Sequence, residues 1–255
     1  IAETVNYKPT RIRKTLKKII NVAIPISISS LISSFGKNID SFTIVRFLKN
    51  YLTEQEAKIQ YGILSGKIDS LCSLPFAFNV AFVTTLVPSI SKSMAKGDLE
   101  EVAKKAEKYI LISILIAFPI ASTMFIYPNE ILKILFPNAP SGAMYLKISS
   151  ITIVFMLLAQ TINGVLQGIG KVNIPAISFG IGMIVKFLCN IILIPNKQIG
   201  IYGAIIGNIL CNILACIISS CVLIKNIKLK INLKKLMIKP LLATICMNII
   251  SIVLH

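Results

Sequence analysis

Seven long apolar runs alternate with short polar segments along the chain. They span about Ile19–Gly36, Ile68–Ile90, Tyr109–Tyr127, Ile148–Ile169, Ile174–Ile194, Ile201–Ile224 and Met237–Leu254. A bilayer core of ~30 Å is crossed by ~20 helical residues. Lipid offers the backbone no hydrogen-bond partner, so runs of this length predict helices. The first run extends in principle to Leu48, with Lys37, Asp40 and Arg46 at its far end. The pattern therefore predicts an all-α integral membrane protein of about seven transmembrane helices. A basic entry segment covers 1–18, a six-helix lobe 19–225, a basic loop 226–236 and an additional helix 237–255, expected to be truncated.

The loop Ser91–Lys108 carries its own helix signal. Asp98 stands in capping-box spacing with Glu101. Leu99, Val102, Ala103, Ala106 and Ile110 share one helical face. Glu100–Lys104 and Glu101–Lys105 are i,i+4 pairs in the favourable order. An amphipathic cytoplasmic helix at 98–108, running into the third span, is predicted. Pro75 and Pro119 lie where kinks are expected, and Pro175 and Pro240 sit near helix starts, where Pro is tolerated. Gly164-x-x-x-Gly168 and Gly203-x-x-x-Gly207 permit close helix packing.

Composition agrees with a lipid setting. The 255 residues are 55% hydrophobic and 15% charged, and the mean hydropathy is +0.80. Soluble domains carry ~25% charge. In a soluble chain the net charge of +17 would suggest nucleic acid. In a membrane protein it matches basic cytoplasmic loops and anionic lipid, and no nucleic-acid partner is expected.

Alternate loops divide the cations unequally. One side holds eighteen: Lys8, Arg11, Arg13, Lys14, Lys17, Lys18, Lys92, Lys96, Lys104, Lys105, Lys108, Lys171, Lys225, Lys228, Lys230, Lys234, Lys235 and Lys239. The other holds eight: Lys37, Arg46, Lys49, Lys58, Lys67, Lys133, Lys147 and Lys197. The excess predicts a cytoplasmic N-terminal end, and an odd number of spans puts His255 outside. No cleavable signal peptide is visible. The start at Ile1 and the stop at His255 within an apolar run are those expected of a fragment.

Enzyme chemistry finds no support. The one His, at the extreme end of the chain (His255), is not expected to supply a triad or a metal site, and none of the six Cys forms a C-x-x-C pair. Gly164-Val-Leu-Gln-Gly168-Ile-Gly170-Lys171 fails the phosphate-loop spacing and lacks Ser or Thr after its Lys. No cofactor or metal is expected. The informative residues are polar groups within the runs, since a charge near the bilayer centre costs ~2.5–3.5 kcal/mol on insertion scales. Asp69 begins the second span, with Lys67 before it and Asn79 deeper in. Asp40 lies at the outer end of the first, and Lys186 lies deep in the fifth with Asn190 one turn later. Gln160, Asn163 and Gln167 recur at i, i+3, i+7 on one face of the fourth, and Asn208 and Asn212 pair similarly in the sixth. Such groups either line a hydrated path or bond between helices, at ~0.6–2 kcal/mol per contact.

The run Tyr61-Gly-Ile-Leu-Ser-Gly-Lys-Ile-Asp-Ser-Leu-Cys-Ser-Leu-Pro75-Phe-Ala-Phe-Asn79, continuing to Leu86-Val-Pro88-Ser-Ile-Ser91, resembles the eighth span of the stage V sporulation protein B-like polysaccharide transporters. These are relatives of the lipid II flippases in the multidrug/oligosaccharidyl-lipid/polysaccharide exporter superfamily. Gln160-Thr-Ile-Asn163-Gly164-Val-Leu-Gln167-Gly168-Ile-Gly170-Lys171-Val-Asn-Ile-Pro175 is similar to the tenth span and its turn. Ile199-Gly200-Ile-Tyr-Gly203-Ala is similar to the entry to the twelfth.

The resemblance implies the second lobe of a two-lobe transporter, with the first lobe missing as a partner in the same protein. A central cavity would alternate between cytoplasmic and external openings. The substrate implied is a lipid-linked glycan, for cell-envelope or spore-wall export across the cell membrane, with membrane lipids around it and a possible coupling cation. Lipid II flippases place an Asp-Arg pair six and five residues before the Pro of the eighth span; here those positions are Asp69 and Ser70. Asp69, Lys67 and Asp40 are then expected near the outer mouth, with Asn79 deeper and Lys186 as a further candidate. Two alternatives stay open: an ion-coupled multidrug exporter, and a non-transporting scaffold for wall synthesis that recruits through Ser91–Lys108.

Overall fold

The computed structural model describes residues 40–227 and 242–248, together with positions 16, 19, 20, 23, 24, 27, 31 and 240. The predicted spans Ile19–Gly36 and Met237–Leu254, and the basic segments 1–18 and 226–236, lie largely outside the described residues. The middle five spans fall inside them, and all are helical. No strand occurs among the described residues.

Helix α1 covers 40–48, the far end of the first run. Helix α2 (Glu54–Gly62) opens on a capping box, in which the Thr53 hydroxyl accepts from the Glu56 amide and the Glu56 carboxylate accepts from the Thr53 amide. It passes through a π-helical stretch at Ile63–Ile68 into α3 (Asp69–Ala95), one continuous helix of 42 residues. Helix α4 (Leu99–Ile126) is followed by the short α5 (Pro128–Leu135), then α6 (Ala143–Gly168), α7 (Ile174–Leu193) and α8 (Tyr202–Ile227). Residues 242–248 form α9, where Asn248 accepts a long bond from Ser122 of α4. Neither α2 nor α5 is an apolar run of spanning length, so hydropathy does not reveal them.

Within Ser91–Lys108 the helix starts at Leu99, and the Asp98 half of the expected capping box forms. Gly97, at φ 75°, closes α3, and the Asp98 carboxylate accepts from the Glu101 amide 2.8 Å away to cap α4. Val102, Ala106 and Ile110 are buried, while Leu99 stays 51% exposed. Both i,i+4 pairs form, at 2.7 and 2.8 Å. The helix runs without a break into the span.

Helix α6 is the centre of the lobe. It packs against α3 and α4 on one flank and α8 on the other, and α7 pairs with α8. The small residues of the two Gly-x-x-x-Gly stretches make these approaches possible. A Cβ on Gly168 would stand 2.7 Å from the Ile90 side chain of α3, and one on Gly164 would stand 2.7 Å from Val83. On α8, a Cβ on Gly203 would meet Leu193, and one on Gly207 would meet the backbone oxygen of Lys186 at 3.3 Å. The string Gly164–Lys171 is therefore packing followed by a helix stop. The Lys171 amide donates to Leu166 O and the Gly170 amide to Gln167 O, a Schellman motif with Gly170 at φ 85°.

Candidate functional site

Polar groups within the apolar helices gather in three places. The first joins α1 to α7. Lys186 lies seven residues before the end of α7, about 10 Å inside it at 1.5 Å per residue. A lone ammonium there would be costly, and the lobe neutralises it: Nζ donates to Asp40 Oδ2 at 2.5 Å. Asn190, one turn on and fully buried, donates from Nδ2 to Asp40 Oδ1 at 3.2 Å and to Thr43 Oγ1 at 3.3 Å. Two of the sequence candidates thus meet each other across 146 positions.

The second lies between α3, α4 and α6. Asn79 is 1% exposed. The two protons of its Nδ2 are shared among three acceptors within range, Leu157 O (3.2 Å), Gln160 Oε1 (2.9 Å) and Thr161 Oγ1 (3.1 Å), and its Oδ1 accepts from Ser113 at 3.1 Å. Asp69 and Asn79 lie on different faces of α3. Asp69 is exposed while Asn79 turns inwards, because ten helical residues displace a side chain to a different face.

The third lies between α6, α7 and α8. Ser219 donates to Asn163 Oδ1 at 2.7 Å and lies 3.1 Å from the Ser178 hydroxyl. Gln160 and Asn163, about 60° apart on α6, therefore bond to different neighbours, α3 and α8. Gln167 is half-buried in its last turn. Asn212 bonds within its own helix to Asn208 O at 2.9 Å, so that pair does not bridge helices. Ser113, Thr161, Ser178 and Ser219 complete these networks, and single hydroxyls in apolar runs give no periodic signal.

The remaining candidates lie at the outer end of α3. Lys67, in the π-helical stretch, donates to Ala139 O at 2.5 Å and sits 5.6 Å from the centre of the Phe136 ring. It is thereby tied to the segment between α5 and α6. Asp69 heads an open face of α3 comprising Ser70, Ser73, Ala77, Ala81, Thr84 and Thr85, all exposed. The four hydroxyls donate back to their own helix, to Gly66 O, Ser70 O, Ala81 O and Phe82 O. Beside this polar stripe run exposed Leu74, Phe78 and Phe82. By contrast the open face of α7 is wholly apolar, with Ile177, Ile181, Ile184 and Leu188.

Among the described residues, five helices are long and apolar enough to cross a bilayer, with α6 at their centre, and they define a multi-pass membrane protein. The chain belongs to the MatE family, whose model matches residues 65–192, a family of transporters in the multidrug/polysaccharide exporter superfamily. It is 29% identical over 192 residues to "Uncharacterized membrane protein YabM" of Bacillus subtilis (strain 168), covering 75% of this chain and 35% of that protein. It is 21% identical over 235 residues to "Stage V sporulation protein B" of the same organism, covering 92% and 45%. It is 35% identical over 135 residues to "Uncharacterized membrane protein MJ1068" of Methanocaldococcus jannaschii, covering 52% and 26%. The chain thus spans less than half the length of these relatives. No solved structure matches it.

Proposed function

We propose that this lobe is one wall of a flippase for lipid-linked glycan precursors, working by alternating access with a second lobe. The observation that carries the reading is the open face of α3. A transmembrane helix that shows lipid a row of Ser and Thr beneath a carboxylate gains nothing from it, whereas a water-lined passage is served by such a row. The glycan head group would cross along that face while the lipid tail stays in hydrocarbon. The protein's task is to lower the cost of taking a hydrated head group through an apolar layer. No bond is made or broken, and a bound ligand shifts the two access states only by its differential affinity for them. Parallel-repeat transporters generally bind where their halves meet, which gives the α3 face its proposed partner surface in the other lobe. Distant similarity to a sporulation protein supports a cell-envelope or spore-wall glycan as cargo.

The ion-coupled drug exporter is the weaker reading, because the deepest carboxylate among the described residues, Asp40, is engaged by Lys186. The test is a depletion strain assayed for the leaflet in which lipid-linked precursors reside. Precursors are expected to accumulate on the cytoplasmic leaflet. Complementation by the full-length protein should restore delivery, and complementation by the Ser73→Leu/Thr84→Leu variant should not. Outer-leaflet delivery at the normal rate during depletion would overturn the proposal.

A further inference from the structure

Four cations among the described residues are half-buried: Lys67, Lys105, Lys147 and Lys186. Three of them have oxygen acceptors. Lys67 has Ala139 O, Lys105 has Glu101 and Ser93, and Lys186 has Asp40. Lys147 has none among the described residues; its ammonium lies 5.0 Å from the centre of the Phe125 ring. A cation taken partly out of water calls for an anion.

A cavity of about 320 Å³ opens beside it, lined by Ile126, Pro128, Asn129, Ala143, Met144 and Lys147. Those residues are the last turn of α4 and the first turns of α5 and α6. Both α5 and α6 begin without a side-chain cap, so their first-turn amides, Asn129 and Glu130 in α5, where Pro128 has none, and Ala143–Tyr145 in α6, have no side-chain acceptor. Two positive helix ends and one ammonium thus converge on one space. Glu130 stands in the first turn of α5 but does not line the cavity. The surroundings are apolar: Phe125 and Met144 are 42% and 55% exposed. The cavity sits at the end of two spans, where head groups meet hydrocarbon.

We propose that this cavity holds the phosphate of an anionic phospholipid, with Lys147 as its counter-ion and the acyl chains against Phe125 and Met144. The apolar rim favours a lipid over free phosphate, and the charge favours an anionic head group over a zwitterionic one. The site does not depend on the transport reading, although its α6 residues follow directly on the turn that Lys67 contacts at Ala139 and Ser141.

The test is native mass spectrometry of the full-length protein released from vesicles of equal phosphatidylglycerol and phosphatidylcholine. The wild type should retain phosphatidylglycerol severalfold over phosphatidylcholine. Lys147→Gln should remove most of that preference, Lys147→Arg should keep it, and Lys133→Gln, an exposed cation at the same end, should leave it unchanged. A Lys147→Gln protein that unfolds would be replaced by Met144→Asp, which adds an anion at the rim and should also expel the lipid. Equal retention by wild type and Lys147→Gln would overturn the proposal. So would loss of the lipid to millimolar inorganic phosphate, which would mark a simple anion site.

Discussion

Lys186 of α7 and Asp40 of α1 form an ion pair, at 2.5 Å, between side chains only 15% and 16% exposed. The two residues are 146 positions apart, and the pair fastens the end of the first helix to the α7–α8 hairpin. Tyr51 reinforces it from outside the span by donating to Ile194 O at 3.1 Å. Removing one partner strands the other charge in a low-dielectric setting. Lys186→Met or Asp40→Asn alone should cost about 3–5 kcal/mol, while the double variant should recover most of the loss. Unfolding midpoints of the four proteins in detergent would check this. A double variant no more stable than the weaker single one would count against it.

The Asn79 network predicts a graded response. Asn79→Ala leaves Ser113 and Thr161 without their shared amide and should cost about 1–3 kcal/mol. Thr161→Val removes one hydroxyl and should cost less, since Asn79 keeps Leu157 O and Gln160. Thermal shift measurements on the two variants should rank them in that order.

Two neighbouring glycines should fail for different reasons. Gly168→Ala places a methyl 2.7 Å from Ile90 and should wedge α6 from α3, an overpacking cost of about 1–3 kcal/mol. Gly170→Ala meets no atom within 4 Å but adopts φ 85°, so its cost is backbone strain of about 1–2 kcal/mol. Gly170→Asn should restore much of that loss, whereas Gly168→Asn should be worse than Gly168→Ala. Melting temperatures of the four variants distinguish the two mechanisms.

The water-lined reading of α3 predicts chemical access. In a cysteine-free background, Ser73→Cys and Thr84→Cys of the full-length protein should react with a hydrophilic maleimide. Ile184→Cys and Leu188→Cys, on the exposed apolar face of α7, should not. Equal silence at all four positions would place the α3 face in lipid.

Hydropathy located all five described spans, and the last three to within about five residues at each end, because each is a run of lipid-compatible side chains bounded by Gly, Pro or charge. Helix α4 shows why the boundaries were less legible: its amphipathic start, 99–108, is polar on one side and so does not register as span. Helix α2 escaped the apolar count, although Thr53 and Glu56 spell its capping box. The predicted imbalance of cations is not visible in the described helices. Lys92, Lys96, Lys104, Lys105, Lys108, Lys171 and Lys225 lie at one end, and Arg46, Lys49, Lys58, Lys67, Lys133, Lys147 and Lys197 at the other. The difference therefore rests on the flanking basic segments.

The pairing of Asp40 with Lys186 was beyond sequence reading, since nothing local records which distant helix a buried charge will meet. The commitment of Lys67 to Ala139 depends in the same way on a turn whose path is set by tertiary packing.

The π-helical stretch at Ile63–Ile68 changes the phase of the helix that contains it. Each residue advances an α-helix by about 100°, so the wider turn lets α2 and α3 face independent directions on one rod. A single-residue deletion within 63–68 would swing Glu54–Gly62 by about 100° around the axis and lift the buried Ala57 off the core, while α3 keeps its seat against α6. The stretch thus sets the register between the outer end of this rod and the core against which both of its halves pack.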